Sequence, residues 1–135
     1  MTKVDENGLS ARLSHLEIGE WGEKLSQTGL IRRGWKVLWT NFRPKGGGEI
    51  DLVCRDSDVL VFVEVKTRTS LDYGRPSEAV DHEKRKLILR GASSWLRQLN
   101  KPEVRHRFDI MEVILEEGLP PKLNLIENAF SMSEF

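Results

Sequence analysis

A single cysteine, Cys54, leaves no partner for an intrachain disulfide. It lies inside the apolar pattern "IDLVC" with no histidine near it in sequence, which favours a buried core thiol over a redox or nucleophilic role. The three histidines, His15, His82 and His106, keep no zinc-ligand spacing among themselves or with Cys54. No apolar run approaches the ~18 residues that span a bilayer. The opening "MTKVDENGLSARLSHLE" also lacks the apolar stretch of a secretory signal, so the expectation is a cytoplasmic protein with no membrane partner. There is no G-x-S-x-G nucleophile motif, and "KGGGE" fits neither a P-loop nor a dinucleotide fingerprint, so its glycines read as a turn.

Net charge is absent too. The 21 basic and 21 acidic residues cancel, which argues against a tight, non-specific DNA binder. Their distribution is uneven: residues 32–110 carry 17 basic and 11 acidic side chains, a net of +6, while the flanking segments are negative. The middle of the chain can therefore present a positive face that the total conceals.

What is present suits one α/β domain. At 135 residues the chain can bury a single core. Residues 1–14 are polar and expected to be a flexible lead-in, with one domain over 15–135. Ile18, Trp21 and Leu25 recur at helical spacing, predicting a helix from about 15 to 33. "WKVLWTNF" alternates as a strand, "RPKGGG" is a turn, and two further strands are predicted over 49–55 and 59–67. A long helix is predicted over 77–99, with Ala79, Leu87, Ala92, Trp95, Leu96 and Leu99 on its apolar stripe. "RHRFDIMEVIL" returns to strand pattern, and "LNLIENAF" offers an extra C-terminal strand. The order αβββαβ closes most naturally as a mixed central sheet flanked by helices. The four tryptophans fall on apolar positions, so core packing is their expected role rather than base stacking.

The acids are out of place. In "GGGEIDLVCRDSDVLVFVEVKTR", Glu49 and Asp51 sit on one strand and Glu64 and Lys66 on the next, in the most apolar part of the chain, where charge is expensive. A two-residue turn at Ser57-Asp58 or a four-residue turn over 56–59 gives the same sum of opposed residue numbers, and that sum sets Asp51 opposite Glu64. Like charges placed so closely need something positive between them, either Lys66 or a divalent cation. An ion-paired sheet face without chemistry is the plain alternative. Carboxylate oxygens suit magnesium or manganese, and a metal-bound water beside an ammonium suits phosphodiester hydrolysis. Arg68, Arg75 and Lys84 are then candidate phosphate contacts, while Arg85 and Lys86 read better as a solvated helix face.

The motifs "GEWGEKL", "NFR", "GGEIDLV", "VFVEVKTRT", "YGRPSEAV" with Lys84, and "RFDI" together resemble the YraN family, bacterial proteins with an endonuclease-like domain. That family is similar in turn to archaeal Holliday junction resolvases of the PD-(D/E)XK nuclease superfamily. The resemblance runs from about Ile18 to Phe130. It implies a restriction-endonuclease-like fold with Asp51, Glu64 and Lys66 in the catalytic motif, and Glu23 as the first-helix acid that joins Asp51 and Glu64 at the metal. Ile50 stands where the superfamily name has proline, which leaves the carboxylate unaffected. Arg43, of "NFR", joins the nucleic-acid contacts, while Lys84 and Asp109 match positions of less certain role. The implied activity is a Mg2+- or Mn2+-dependent endonuclease acting on nucleic acid, with branched DNA first and a homodimer suited to a two-fold symmetric substrate. The alternative is a non-catalytic nucleic-acid-binding or protein-interaction module on the same fold.

Overall fold

The computed structural model describes residues 1–4, 10–100 and 103–134. Its elements in chain order are β1 (Thr2–Val4), β2 (Ser10–Arg12), α1 (His15–Arg32), β3 (Lys36–Phe42), β4 (Ile50–Asp56), β5 (Val59–Arg68), a 3-10 turn (Pro76–Ala79), α2 (His82–Gln98), β6 (His106–Ile114), β7 (Lys122–Phe130) and a closing 3-10 turn (Met132–Glu134). Strands β3 to β7 form one five-stranded sheet in sequence order. All neighbours are antiparallel except β5 and β6, which run parallel because α2 carries the chain across between them. This is the restriction-endonuclease-like mixed sheet that the sequence led us to expect.

Strand alternation sorts the apolar residues onto two faces. Leu52, Cys54, Val61, Val63, Val65, Met111 and Val113 pack under α1, with Leu30 and Trp35. Val53, Leu60, Phe62, Phe108 and Ile110 pack under α2, with Ile88 and Ala92. Strand β5 is buried on both sides from Leu60 to Val65, as its uninterrupted apolar run requires. Cys54 is fully buried, and burial pushes its thiol up to about 12, so it is inert core.

Helix α1 begins with a capping box: Ser14 Oγ accepts from Glu17 N at 3.1 Å, while Ser14 N donates to Glu17 Oε1 at 3.2 Å. Its buried face is Gly22, Ser26 and Leu30, four residues apart. A Cβ on Gly22 would lie 1.8 Å from Thr67 Oγ1, so glycine is what lets α1 settle onto the end of β5.

Several expectations change. The helix expected over 77–99 is two pieces, since Val80 breaks the chain between the 3-10 turn and α2, and Asp81 caps α2 by accepting from Lys84 N at 2.9 Å. The buried α2 positions are Ile88, Gly91 and Ala92, while Leu87 and Leu99 are exposed. The lead-in is not structureless where described: Thr2–Val4 pairs antiparallel with Ser10–Arg12, and Met1 packs on the α1-side core. The rest of the lead-in, 5–9, lies outside the described residues. Trp35 is buried, but Trp39 is 55% exposed and Trp21 38%. A bulge at Leu38 explains Trp39. It shifts the β3–β4 register by one, so Val37 faces Cys54 and the α1 core while Trp39 opposes Val53 and swings to the α2 side at the sheet edge. Among the described residues, no helix is long and apolar enough to cross a membrane.

Candidate active site

The β4–β5 ladder keeps the register set by the turn: Leu52 opposes Val63, Val53 opposes Phe62, and so on to Asp56 and Val59. One step beyond Leu52 and Val63 lie Asp51 and Glu64. There the Asp51 side chain takes part in holding the strands together, since its Oδ2 accepts from Val65 N at 2.9 Å. Glu64 is 2% exposed, on the face towards α2.

Two ammonium groups reach Glu64 Oε1, Lys84 Nζ at 3.5 Å and Lys66 Nζ at 3.9 Å. Lys84 is the nearer, and it also pairs with Glu49. Its position follows from local geometry. The Asp81 cap holds Lys84 in the first turn of α2, and helical side chains lean towards the N-terminus, over the carboxylates. Glycines bring the two segments into contact: a Cβ on Gly48, whose φ is +93°, would lie 2.3 Å from Gly91 N. That approach lets Glu49 N donate to Leu87 O at 3.2 Å and sets Glu49 beside Lys84.

Burial, and then the neighbouring charge of Asp51, push the Glu64 carboxyl up to about 8, against the opposing pull of Lys84 and Lys66. Burial raises Asp51 as well, offset by the Val65 N–H and Lys84. The two carboxyls thus oppose one another's ionisation, and the stronger rise falls on Glu64. Glu64 Oε2 has no hydrogen-bond donor among the described residues. A buried oxygen without a donor, in a pair of hard carboxylates that repel one another, is a donor set that fits magnesium or manganese.

Glu23 is less directly placed. No group of three or more His, Cys, Asp or Glu side chains among the described residues stands close enough to hold one ion. Glu23 feels Asp51 electrostatically: burial and then the Asp51 charge raise it, while a hydrogen bond from Asn41 and the charge of Arg43 lower it. It lines an adjoining cleft of about 410 Å³ with His15, Gly19, Glu20, Asn41 and Arg43. Asn41 adopts φ 51°, a left-handed conformation uncommon outside glycine.

The other candidates separate. Arg68 is exposed at the end of β5, its Nη1 donating to Thr67 O at 2.8 Å. Arg75 pairs with Glu112. Asp109 is fully buried beyond the active end, where it accepts from Arg107 Nε at 3.0 Å and Asn128 N at 2.9 Å, filling the β6–β7 irregularity. Sequence reasoning missed Glu112 altogether, and left Glu49 and Asn41 outside the site. The charge of Glu49 within "GGGEID" was a signal; nothing local marked Asn41.

Residues 22–113 match a family model described as "Uncharacterised protein family UPF0102". The chain belongs to the UPF0102 family. The UPF0102 protein of Caldanaerobacter subterraneus subsp. tengcongensis is 44% identical over 115 residues, covering 84% of this chain and 93% of that protein. That of Geobacter metallireducens is 41% identical over 121 residues, covering 90% and 98%. That of Clostridioides difficile is 39% identical over 118 residues, covering 87% of this chain and all of its own. This is the family that the motif resemblance reached under the name YraN. The UPF0102 match contains every proposed site residue from Glu23 to Lys84 and ends within β6, so β7 and the β1–β2 hairpin lie outside it.

Proposed function

We propose that this UPF0102 protein is a divalent-metal-dependent nuclease that hydrolyses phosphodiester bonds, with branched DNA as the first substrate to test. The observation that supports this best is the buried Asp51–Glu64 pair beneath two ammonium groups, with Glu64 Oε2 left without a donor. Asp51 and Glu64 would hold Mg2+ or Mn2+, and Glu23 would join from the adjoining cleft. The bound ion would supply charge neutralisation at the phosphate and acidify a water.

The chain's own groups do the remaining work. Lys84, tied to Glu49, favours the ionised form of Glu64 and so readies it as a ligand. Lys66, bound less closely to Glu64, orients the attacking water or the scissile phosphate. Arg43 and Arg68 lie exposed beside the site, suited to phosphates of the same strand. Arg75 steadies the preceding loop through Glu112 and keeps much of its own side chain in solvent. A two-fold symmetric junction needs two cuts, which makes a homodimer the matching assembly.

The test compares wild type with Asp51→Asn, purified in parallel, on linear, flapped and four-way DNA with and without Mg2+ or Mn2+. Cleavage by wild type alone supports the proposal. Equal cleavage by both assigns it to a contaminant or another site. No cleavage by either, across metals, leaves the fold as a non-catalytic binding module.

A further inference from the structure

The charges of this chain are segregated along two segments that meet in space. No acid occurs from Lys24 to Gly48, which contains six basic residues, and none from Lys84 to Pro102, which contains six more. The first segment supplies β3 and the 43–48 turn, and the second supplies α2. They touch where Gly48 packs on Gly91, and again on either side of it. A Cβ on Gly47 would meet Arg90 Cδ at 3.0 Å, and the rings of Trp39 and Phe42 both contact Trp95. Lys36, Lys45, Arg90 and Arg97 are exposed and form no ion pair with any described residue.

Trp39 stands in this acid-free flank as its most conspicuous apolar group. It lies on the edge strand, 55% exposed, and is held edge-on by Trp95 with ring centres 6.4 Å apart and planes at 62°. Trp95 is itself fixed by Phe42 at 5.1 Å and 85°. A rigid, exposed indole among unpaired cations has the two features that bind single strands, a face for an unstacked base and cations for the phosphates. Trp21, the other exposed tryptophan, differs: it borders a crevice in which Glu17 and Glu20 offset Lys3 and Lys24, with Lys3 paired to Glu17, so no excess of cations is on hand for phosphates. A second copy of the chain is the less fitting occupant, since pairing this flank with itself would bring its cations together.

We propose that the β3–α2 flank binds single-stranded DNA, with a base stacked on Trp39. The inference deepens the nuclease reading and rests on it only for direction: the strand would run from the Asp51–Glu64 site along α2 to Trp39. Lys84 and Trp95 are eleven residues apart, about 16 Å of helix, or roughly five nucleotides of stacked strand. A single-stranded arm of a branched substrate would occupy it, whereas duplex hides its base faces.

The experiment measures binding without metal, in EDTA, so that it does not depend on cleavage. Fluorescence anisotropy of a fifteen-nucleotide oligothymidylate and of a duplex of equal length is read for wild type, Trp39→Ala, Trp39→Phe and Lys45→Ala/Arg90→Ala. Trp39→Ala is expected to weaken the single strand about ten-fold with the salt slope unchanged and duplex binding little altered. Trp39→Phe keeps most of the affinity but loses the tryptophan quenching that wild type shows on binding. The double basic variant lowers the salt slope by about 1 to 2. Equal affinity of wild type and Trp39→Ala for the single strand overturns the proposal. So does self-association of wild type in sedimentation that Trp39→Ala abolishes, which would give the flank to a second copy. If binding behaves as expected and wild type still cuts nothing with metal, the nuclease reading fails while this one stands.

Discussion

Glu64 and Glu112 lie on adjacent parallel strands, on the same face of one sheet, and both are buried. Lys66, two residues from Glu64, is the register partner of Glu112. Yet burial and the Asp51 charge lift Glu64 to about 8, while Glu112 sits at about 2. Burial would raise Glu112 as well. It is overruled by donors: Asn124 Nδ2 at 2.9 Å, Ser77 N at 2.9 Å and the Arg75 guanidinium. Glu112 is a satisfied latch that ties the 3-10 turn and its approach loop to the sheet. Glu64 has two ammonium groups at a distance, a like charge beside it and one oxygen without a donor. Two glutamates that are both shielded from solvent thus differ in how deeply they sit and in what their neighbours offer, and an incomplete set of partners marks the one suited to an added ligand.

The sharpest way to break this comparison is to neutralise each acid. Glu64→Gln should lower metal-dependent cleavage by about a thousand-fold, roughly 4 kcal/mol of transition-state stabilisation, with the fold intact by circular dichroism. Glu112→Gln should leave the residues of the Asp51–Glu64 site in place; kcat measured at a temperature well below unfolding checks that cleavage falls far less.

Stability should reverse the order. Glu112→Ala strands the Asn124, Ser77 and Arg75 donors and should cost about 3 kcal/mol in urea unfolding, with early protease cuts in the 69–75 loop. Glu64→Gln should be neutral or stabilising at pH 8 without metal.

The pH dependence of unfolding separates the two further. Glu112, held below its ordinary value of 4.5, stabilises the fold above that value, and the contribution is lost as pH falls towards 2. Glu64, held above 4.5, is tolerated in its neutral form at low pH, and stability is lost as pH rises through about 8. Urea midpoints across pH 3 to 9 should show Glu112→Gln falling below wild type as pH rises past 4.5, and Glu64→Gln rising above wild type as pH climbs towards 8. Divalent cations should remove the alkaline loss, and their affinity should climb with pH towards 8 because Glu64 must release its proton.

The smallest effect belongs to Lys84→Met. Removing a charge that favours ionised Glu64 should move the midpoint of cation affinity up by about one pH unit, read by calorimetry across pH. No movement would mean that Lys66 alone governs Glu64.

Much of this site was legible because it is local. The β4–β5 register depends only on the two-residue turn and the pleat, so a count along the chain was enough to bring Asp51 and Glu64 together. The apolar run of β5 likewise announced a central strand. Alternation failed where geometry was irregular: the bulge at Leu38 turned Trp39 out of the core that its spacing implied. The long helix broke at Val80 because the apolar stripe continues across a change of element that only the Asp81 cap reveals.

The sequence by itself determined the order of the central strands and α1, the mixed sheet and the acid pair, since these follow from periodicities of a few residues. Tertiary structure alone decided which cation answers Glu64, that Glu112 is latched by Arg75 and Asn124, and that Trp39 stands exposed against Trp95. The physical reason is that the ionisation and exposure of a side chain are set by the groups around it in space. For Glu64 and Glu112 those groups come from elements up to 37 residues away, brought in by helix capping and by glycine contacts that no local pattern encodes.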